Sequence, residues 1–218
     1  MSRWLVLDLD GTLVDSVPDL AAALNRLMHS RGLAGFTSPE VQAMVGDGAR
    51  ALLERGFAAR SSVMDNAALP AFLDDYTANA AIDSRAYPGV AATLETLQAQ
   101  GWTLAVCTNK PEKPARALLE ALELDGFFAA IGGGDSFPVR KPDPGHLLAT
   151  LAACGGDPAR AVMVGDHHND IHAAAGAGVA SVWASWGYGL DVTGASANAA
   201  AFVELPGVVE NLVKAKSE

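Results

Sequence analysis

Trp4 to Leu9 is a short apolar run that closes on Asp8-Leu9-Asp10-Gly11-Thr12, and the same pattern returns twice. Trp102 to Cys107 leads into Thr108-Asn109-Lys110, and Ala161 to Val164 leads into Gly165-Asp166. Runs this short, apolar throughout rather than alternating, read as strands buried on both faces. Ala129 to Gly132 and Ala180 to Ala184 are weaker strand candidates. Helical segments fall between them. Val90 to Gln100 is amphipathic and stops at Gly101, a residue suited to follow a helix C-terminus. Pro114 to Leu122 follows a proline-marked start. Asp143-Pro144 reads as an N-cap with proline at the first turn, opening a helix to about Cys154, and Asn169 to Ala177 is a short alanine-rich helix. Strands alternating with helices predict βαβ units and an α/β fold built on a parallel sheet.

Residues 15–84 break this rhythm. Pro18 to Ser30, Pro39 to Met44, Gly48 to Ala59 and Leu69 to Ala80 all read as helices, with no strong strand among them. The expectation is a small α-helical module over 15–85, inserted after the first strand, within a three-layer, Rossmann-like core made of 1–14 and 86–218. Tyr87-Pro88-Gly89 supplies hinge-forming residues at one exit. Gly194 to Ala201 reads as a surface loop with a short helix.

The formal net charge of −10 argues against nucleic-acid partners and against a polybasic membrane anchor. No apolar run approaches the ~20 residues of a membrane span, and the start of the chain shows no secretory pattern. Cys107 and Cys154 have no metal or redox spacing and read as reduced thiols. A cytoplasmic protein is the expectation. An acidic chain can still bind a phosphate ester where local cations and a metal reverse the field.

In open α/β sheets, ligands bind beyond the carboxyl ends of the strands. The three polar strand ends should therefore converge, together with the loop Arg140-Lys141-Pro142-Asp143. Side chains alternate along a strand, so Asp8 and Asp10 face the same way, roughly 6–7 Å apart. Carboxylates that close repel, which favours a division of labour between one ionised group and one proton carrier. Gly11 permits a turn that brings backbone N–H groups toward an anion. Thr108 and Asn109 offer a hydroxyl and an amide to phosphate oxygens, and Lys141 offers a point cation. Asp166 can complete an oxygen-ligand shell with Asp8, a donor set that suits Mg²⁺ better than zinc. Asp170 is placed to be an N-cap, a lysine partner or a supporting acid. His167 and His168 lack a third ligand at zinc spacing and read as solvated or loop-packing residues.

At these clusters the chain resembles the haloacid dehalogenase superfamily of phosphohydrolases. DLDGTLVDS resembles its first motif, CTNK its second, the Lys141 loop its third and GDHHND its fourth, in the right order and across nearly the whole chain. DLDGTLVDSVPDL, VGDGARALL, YPGV and RKPDP are together most similar to phosphoglycolate phosphatases. The resemblance implies that Asp8 attacks phosphorus to form an aspartyl-phosphate. It implies that Asp10 protonates the leaving alcohol and then activates water. Mg²⁺ would be held by Asp8, the backbone carbonyl of Asp10, and Asp166. Gly11, Thr12, Thr108, Asn109 and Lys141 would surround the phosphate, and Asp170 would support the metal or the lysine. The family often has a small hydroxyl residue where His167 stands. The helical module would act as a cap, and Arg50, after the turn Gly46-Asp47-Gly48, is the candidate reader of an anionic substrate tail.

The implied activity is Mg²⁺-dependent hydrolysis of a small phosphomonoester, foremost 2-phosphoglycolate, by a monomer or homodimer. A phosphatase for a sugar or amino-sugar phosphate, a phosphomutase, and a receiver-type regulator phosphorylated on aspartate remain alternatives. The receiver reading is disfavoured because such modules are shorter, lack the inserted helices and carry the phosphoacceptor on a middle strand in sequence.

Overall fold

The structure is a computed structural model that describes residues 2–190 and 192–215. Strand β1 (Arg3–Leu7) is followed by a two-residue strand β2 (Val14–Asp15) and by helices α1 (Val17–Ser30), α2 (Ser38–Gln42), α3 (Ala49–Ala59) and α4 (Ala68–Ala78). Strand β3 (Arg85–Ala86) returns antiparallel to β2, pairing Val14 with Ala86 and Asp15 with Arg85. There follow α5 (Val90–Ala99), β4 (Trp102–Cys107), α6 (Glu112–Ala121), β5 (Ala130–Gly132), α7 (Pro144–Ala153), β6 (Ala161–Gly165), α8 (His168–Ala177), β7 (Ala180–Ala184), β8 (Ala197–Ala199) and α9 (Leu205–Ala215).

The main sheet has six strands in the order β5-β4-β1-β6-β7-β8, every neighbouring pair parallel. Alternation along the strands divides the core into two layers. Leu5, Leu7, Leu104, Val106, Val162 and Val164 join the cluster that includes Leu94 and Leu97 of α5. Trp4, Val6, Ala105, Cys107 and Met163 join a second cluster with Leu147 and Leu151 of α7 and Ala174 of α8. Helices therefore cover both faces, as a parallel sheet requires. On the other side of the short β2–β3 ribbon, α1 packs against α2, α3 and α4. Helix α2 opens on a capping box in which Thr37 and Glu40 satisfy each other's backbone N–H groups.

Three details differ from expectation. Strand β1 ends at Leu7 rather than Leu9: the Asp8 N–H still donates to Val164 O at 2.9 Å, but the Leu9 N–H turns to the Asp8 side chain. Residues 197–199 form the edge strand β8, where a loop with a short helix is the expectation. Ala-Asn-Ala has little strand propensity; pairing with β7 imposes the conformation, supported by reciprocal contacts between Ser181 and Ser196. Helix α9 has no counterpart in the sequence reading.

Candidate active site

Register fixes the centre of the site. Leu7 lies beside Val106 of β4 and Val164 of β6, so Asp8, Thr108 and Asp166 emerge next to one another at the carboxyl edge of the sheet. Asp8 sits between the two flanking strands, at the point where the strand order reverses. Its Oδ1 accepts from the Leu9 N–H (2.7 Å) and lies 2.9 Å from Lys141 Nζ. Among the described residues nothing donates to Oδ2, and Asp8 lines the cavity between the sheet edge and the helical module.

Lys141 is itself held tightly. Its ammonium donates to Asp170 Oδ1 and to Cys107 O, both at 2.6 Å. Its backbone N–H donates to His146 Nδ1 (3.2 Å), while His146 Nε2 contacts Gly133 O at 3.0 Å. Burial, followed by the field of Lys141, lowers the His146 pKa to about 4, so the neutral ring donates from Nε2 and accepts at Nδ1. Asp170 also accepts the His167 N–H through Oδ2 (3.0 Å), and His167 Nδ1 accepts the Asn169 N–H, which caps α8. Asp170 is thus both lysine partner and helix-capping acid.

Asp8, Asp166 and Asp170 are the one group of three or more ligating side chains that converge among the described residues, with one oxygen of each within 4.8 Å of the others. All three are buried. Lys141 alone faces this set, so an anionic excess remains. Burial pushes Asp8 up to about 6 despite Lys141, and burial with the neighbouring Asp8 and Asp170 pushes Asp166 up to about 8. A dry cluster of carboxylate oxygens short of positive charge fits a hard divalent cation. His167 and His168 make a tilted ring contact at 3.9 Å between centroids, and His168 meets His172 edge-on at 5.7 Å, but among the described residues they do not form such a group.

Asp10 faces a different cation. Lys110 Nζ lies 2.9 Å from both of its oxygens, and Ser16 Oγ donates to Oδ1 at 2.5 Å. The two acids of the first strand end are therefore served by separate buried lysines. A loop after β7 closes this side. The Tyr188 N–H donates to Asp166 Oδ2 (2.8 Å), its hydroxyl accepts from Ser16 N (2.7 Å) and reaches Asp15 (2.8 Å), and Trp186 Nε1 donates to Thr12 O (3.1 Å).

Several expected phosphate contacts are directed elsewhere. The Gly11 N–H donates to Val14 O, and Gly11 adopts φ +84°, where a side chain would collide with the Asp166 carboxylate. Its contribution is shape. The Thr12 hydroxyl donates to Asp166 Oδ1 (2.9 Å). Asn109 uses its amide hydrogens on Gly46 O (3.0 Å) and Lys141 O (2.9 Å), tying the loop before α3 to the core. Thr108 accepts the Lys110 N–H (3.2 Å), and its own hydroxyl hydrogen has no acceptor among the described residues. Arg50 does not reach the cavity: its side chain is 56% exposed and lies 3.9 Å from Glu54, because position 50 falls on the outer face of α3. Lys110, His146, Asn169 and Tyr188 escaped the sequence reading as site residues. Lys110 was visible in CTNK, and the aromatic-glycine string Trp186-Gly187-Tyr188-Gly189 marked a loop after a strand. His146 and Asn169 carried no signal beyond proximity in sequence to Lys141 and Asp166.

Comparison with known proteins agrees with this geometry. The family model for haloacid dehalogenase-like hydrolases matches residues 3–178. A phosphoglycolate phosphatase of Caulobacter vibrioides is 47% identical over 84% of the chain and 79% of its own length. One from Agrobacterium fabrum is 45% identical over 86% and 82%. The crystal structure of a predicted phosphoglycolate phosphatase from Haemophilus somnus superposes with a TM-score of 0.86 at 32% identity, covering 95% of this chain and 97% of that one. With a family match over most of its length and the four motifs gathered at one sheet edge, the chain belongs to the haloacid dehalogenase-like hydrolases.

Proposed function

We propose that the chain is a phosphomonoester hydrolase with Asp8 as nucleophile, Asp10 as acid–base residue and 2-phosphoglycolate as its substrate. The observation that carries this reading is the asymmetry of Asp8, a residue that lines the cavity: one oxygen is gripped by an amide and a lysine, while the other has no donor among the described residues. A carboxylate fixed on one side and free on the other is pre-aimed for in-line attack. The names of the relatives support the substrate.

Phosphate monoesters require rate enhancements of up to ~10²¹, and most of that comes from charge compensation and positioning. Asp8, Asp166 and the Asp10 carbonyl would hold Mg²⁺, with Asp170 close by; when bound, the ion neutralises phosphoryl oxygens beside the nucleophile. Lys141 balances Asp8 and orients it. The free hydroxyl hydrogen of Thr108 meets a phosphoryl oxygen. Asp8 Oδ2 attacks phosphorus, and Asp10 delivers a proton to the departing alcohol, a contribution of about 10²–10⁴. Asp10 then takes a proton from the water that opens the aspartyl-phosphate. Residues 15–85 act as the cap that excludes bulk water during these steps.

The test is a panel of phosphate esters assayed with and without Mg²⁺, including 2-phosphoglycolate, sugar phosphates and amino-sugar phosphates. Phosphate release from 2-phosphoglycolate without a bisphosphate activator separates hydrolase from mutase. Asp8→Asn should abolish turnover, and Asp10→Asn should retain phosphoenzyme formation with good leaving groups. Normal steady-state rates in Asp8→Asn would overturn the assignment.

A further inference from the structure

The cavity above Asp8 is mostly apolar: Leu20, Leu52 and Phe72 contribute walls, and among the described residues Lys110 is the one Lys or Arg that lines it. Among the described residues, Lys110 and Lys141 are the only buried Lys or Arg side chains, and Lys141 is already committed to Asp8, Asp170 and Cys107 O. Lys110 is different. Its sole anionic partner is Asp10, the group that must be free to serve a leaving oxygen. Its ammonium lies 4.4 Å from the centroid of the Tyr76 ring, which α4 brings down from the helical module. Tyr76 is 1% exposed, lines the same cavity, and its hydroxyl, in electrostatic contact with Lys110, has no well-formed hydrogen bond among the described residues. A buried hydroxyl without a well-formed hydrogen bond is costly and rare. Here it stands beside a buried cation at the place where an organic leaving group would enter.

We infer that Lys110, joined by the Tyr76 hydroxyl, is the receptor for the carboxylate of the substrate's leaving group, and that the Asp10 carboxylate occupies it as a placeholder in the ligand-free protein. This rests on the phosphatase reading and deepens it by naming the groups that select the substrate. In 2-phosphoglycolate a single methylene separates the bridging oxygen from the carboxylate. When that oxygen lies against Asp10, the carboxylate falls beside the cation already touching Asp10. An anionic tail entering a cavity walled by Asp8 and Asp10 would otherwise be repelled. A neutral tail gains nothing from the lysine. The receptor also joins the two halves of the site, since Lys110 follows β4 while Tyr76 belongs to α4.

The experiment compares kcat/KM for 2-phosphoglycolate with that for ethyl phosphate, which has the same two carbons and no carboxylate, in wild type, Lys110→Met, Lys110→Arg and Tyr76→Phe. Removing one side of a buried charge contact typically costs a factor of about 10² or more. The ratio of the two specificity constants should fall by roughly that factor in Lys110→Met, chiefly through KM for 2-phosphoglycolate. It should recover partly in Lys110→Arg and fall about 3–10-fold in Tyr76→Phe. A lysine that merely steadies Asp10 would lower both constants together and leave the ratio unchanged, which overturns the inference. Should Lys110→Met fail to fold, an unchanged ratio in Tyr76→Phe together with Lys110→Arg overturns it equally. Wild-type protein that hydrolyses neither ester refutes the 2-phosphoglycolate reading on which the receptor rests, whereas wild-type hydrolysis with an invariant ratio refutes only the receptor.

Discussion

Burial, with Asp170 nearby, raises the Asp8 carboxyl to about 6, and burial with Asp8 and Asp170 alongside raises Asp166 to about 8. In the unfolded chain both would titrate near the ordinary value of 3.8. Between that value and their folded values the native state binds more protons than the unfolded one, so stability falls as pH rises. Metal-stripped protein should therefore melt at a lower temperature at pH 8 than at pH 5.5, on the order of 5 °C lower. Added Mg²⁺ should restore the loss at pH 8 and do little at pH 5.5. Calorimetry across that range with and without Mg²⁺ checks this, and an apoprotein that gains stability toward pH 8 would contradict it. His146 poses a second question at this scale. It is uncharged near neutrality and fixes the backbone that carries Lys141. His146→Ala leaves the Lys141 N–H unpaired in a buried place and opens a hole, costing about 2–4 kcal/mol. Its kcat should fall by at least 10-fold with a smaller change in KM, since Lys141 loses its aim rather than its charge.

At the scale of elements, the loop between α2 and α3 is clasped from two directions. Asn109, from the end of β4, and Asn169, from the first turn of α8, both donate to Gly46 O, and Asn169 also donates to Asp47 at 2.7 Å. Asp47 in turn pairs with Arg55 of α3. Asn169→Ala removes one clasp at a cost of about 1–2 kcal/mol. Amide exchange at residues 45–48 should quicken several-fold while the strands of the sheet keep their protection. Equal exchange in the variant would show that Asn109 suffices. The clasp also explains what could be read in advance. Periodicity gave β1, β4, β6 and the helices between them, because buried parallel strands are apolar throughout and their polar ends stand out. It gave the motif acids for the same reason. It did not give β8, whose Ala-Asn-Ala becomes a strand only through β7, nor the roles of Asn109 and Lys110, which depend on what α4 and the Gly46 loop bring above them. Arg50 was a candidate because it follows the Gly46-Asp47-Gly48 turn, and the phase of α3 turns it outward.

For the molecule as a whole, the two halves of the site belong to parts of the chain whose backbone connections both run through the β2–β3 ribbon. The proposed catalytic acids lie at the sheet edge, and the apolar ceiling comes from α1, α3 and α4. On the reading proposed above, Lys110 at the sheet edge and the ceiling residues around Tyr76 select the substrate together, while the chemistry stays with the sheet edge. Grafting residues 16–84 from a relative with a different substrate should therefore change KM and preference by orders of magnitude, while the dependence on Asp8 and divalent metal persists. A graft that keeps the original preference would place selectivity in the sheet-edge residues, Lys110 foremost.

The middle position of β1 has a consequence for biosynthesis. Its residues are translated well before those of its neighbours, Trp102–Cys107 on one side and Ala161–Gly165 on the other. Pairings across such separations form slowly and late. As the chain emerges from the ribosome, β1 must wait until residues 161–165 have been made before its second flank exists. A nascent chain stalled after Asp157 should thus remain open to protease and unable to hold a divalent ion, however long it is given.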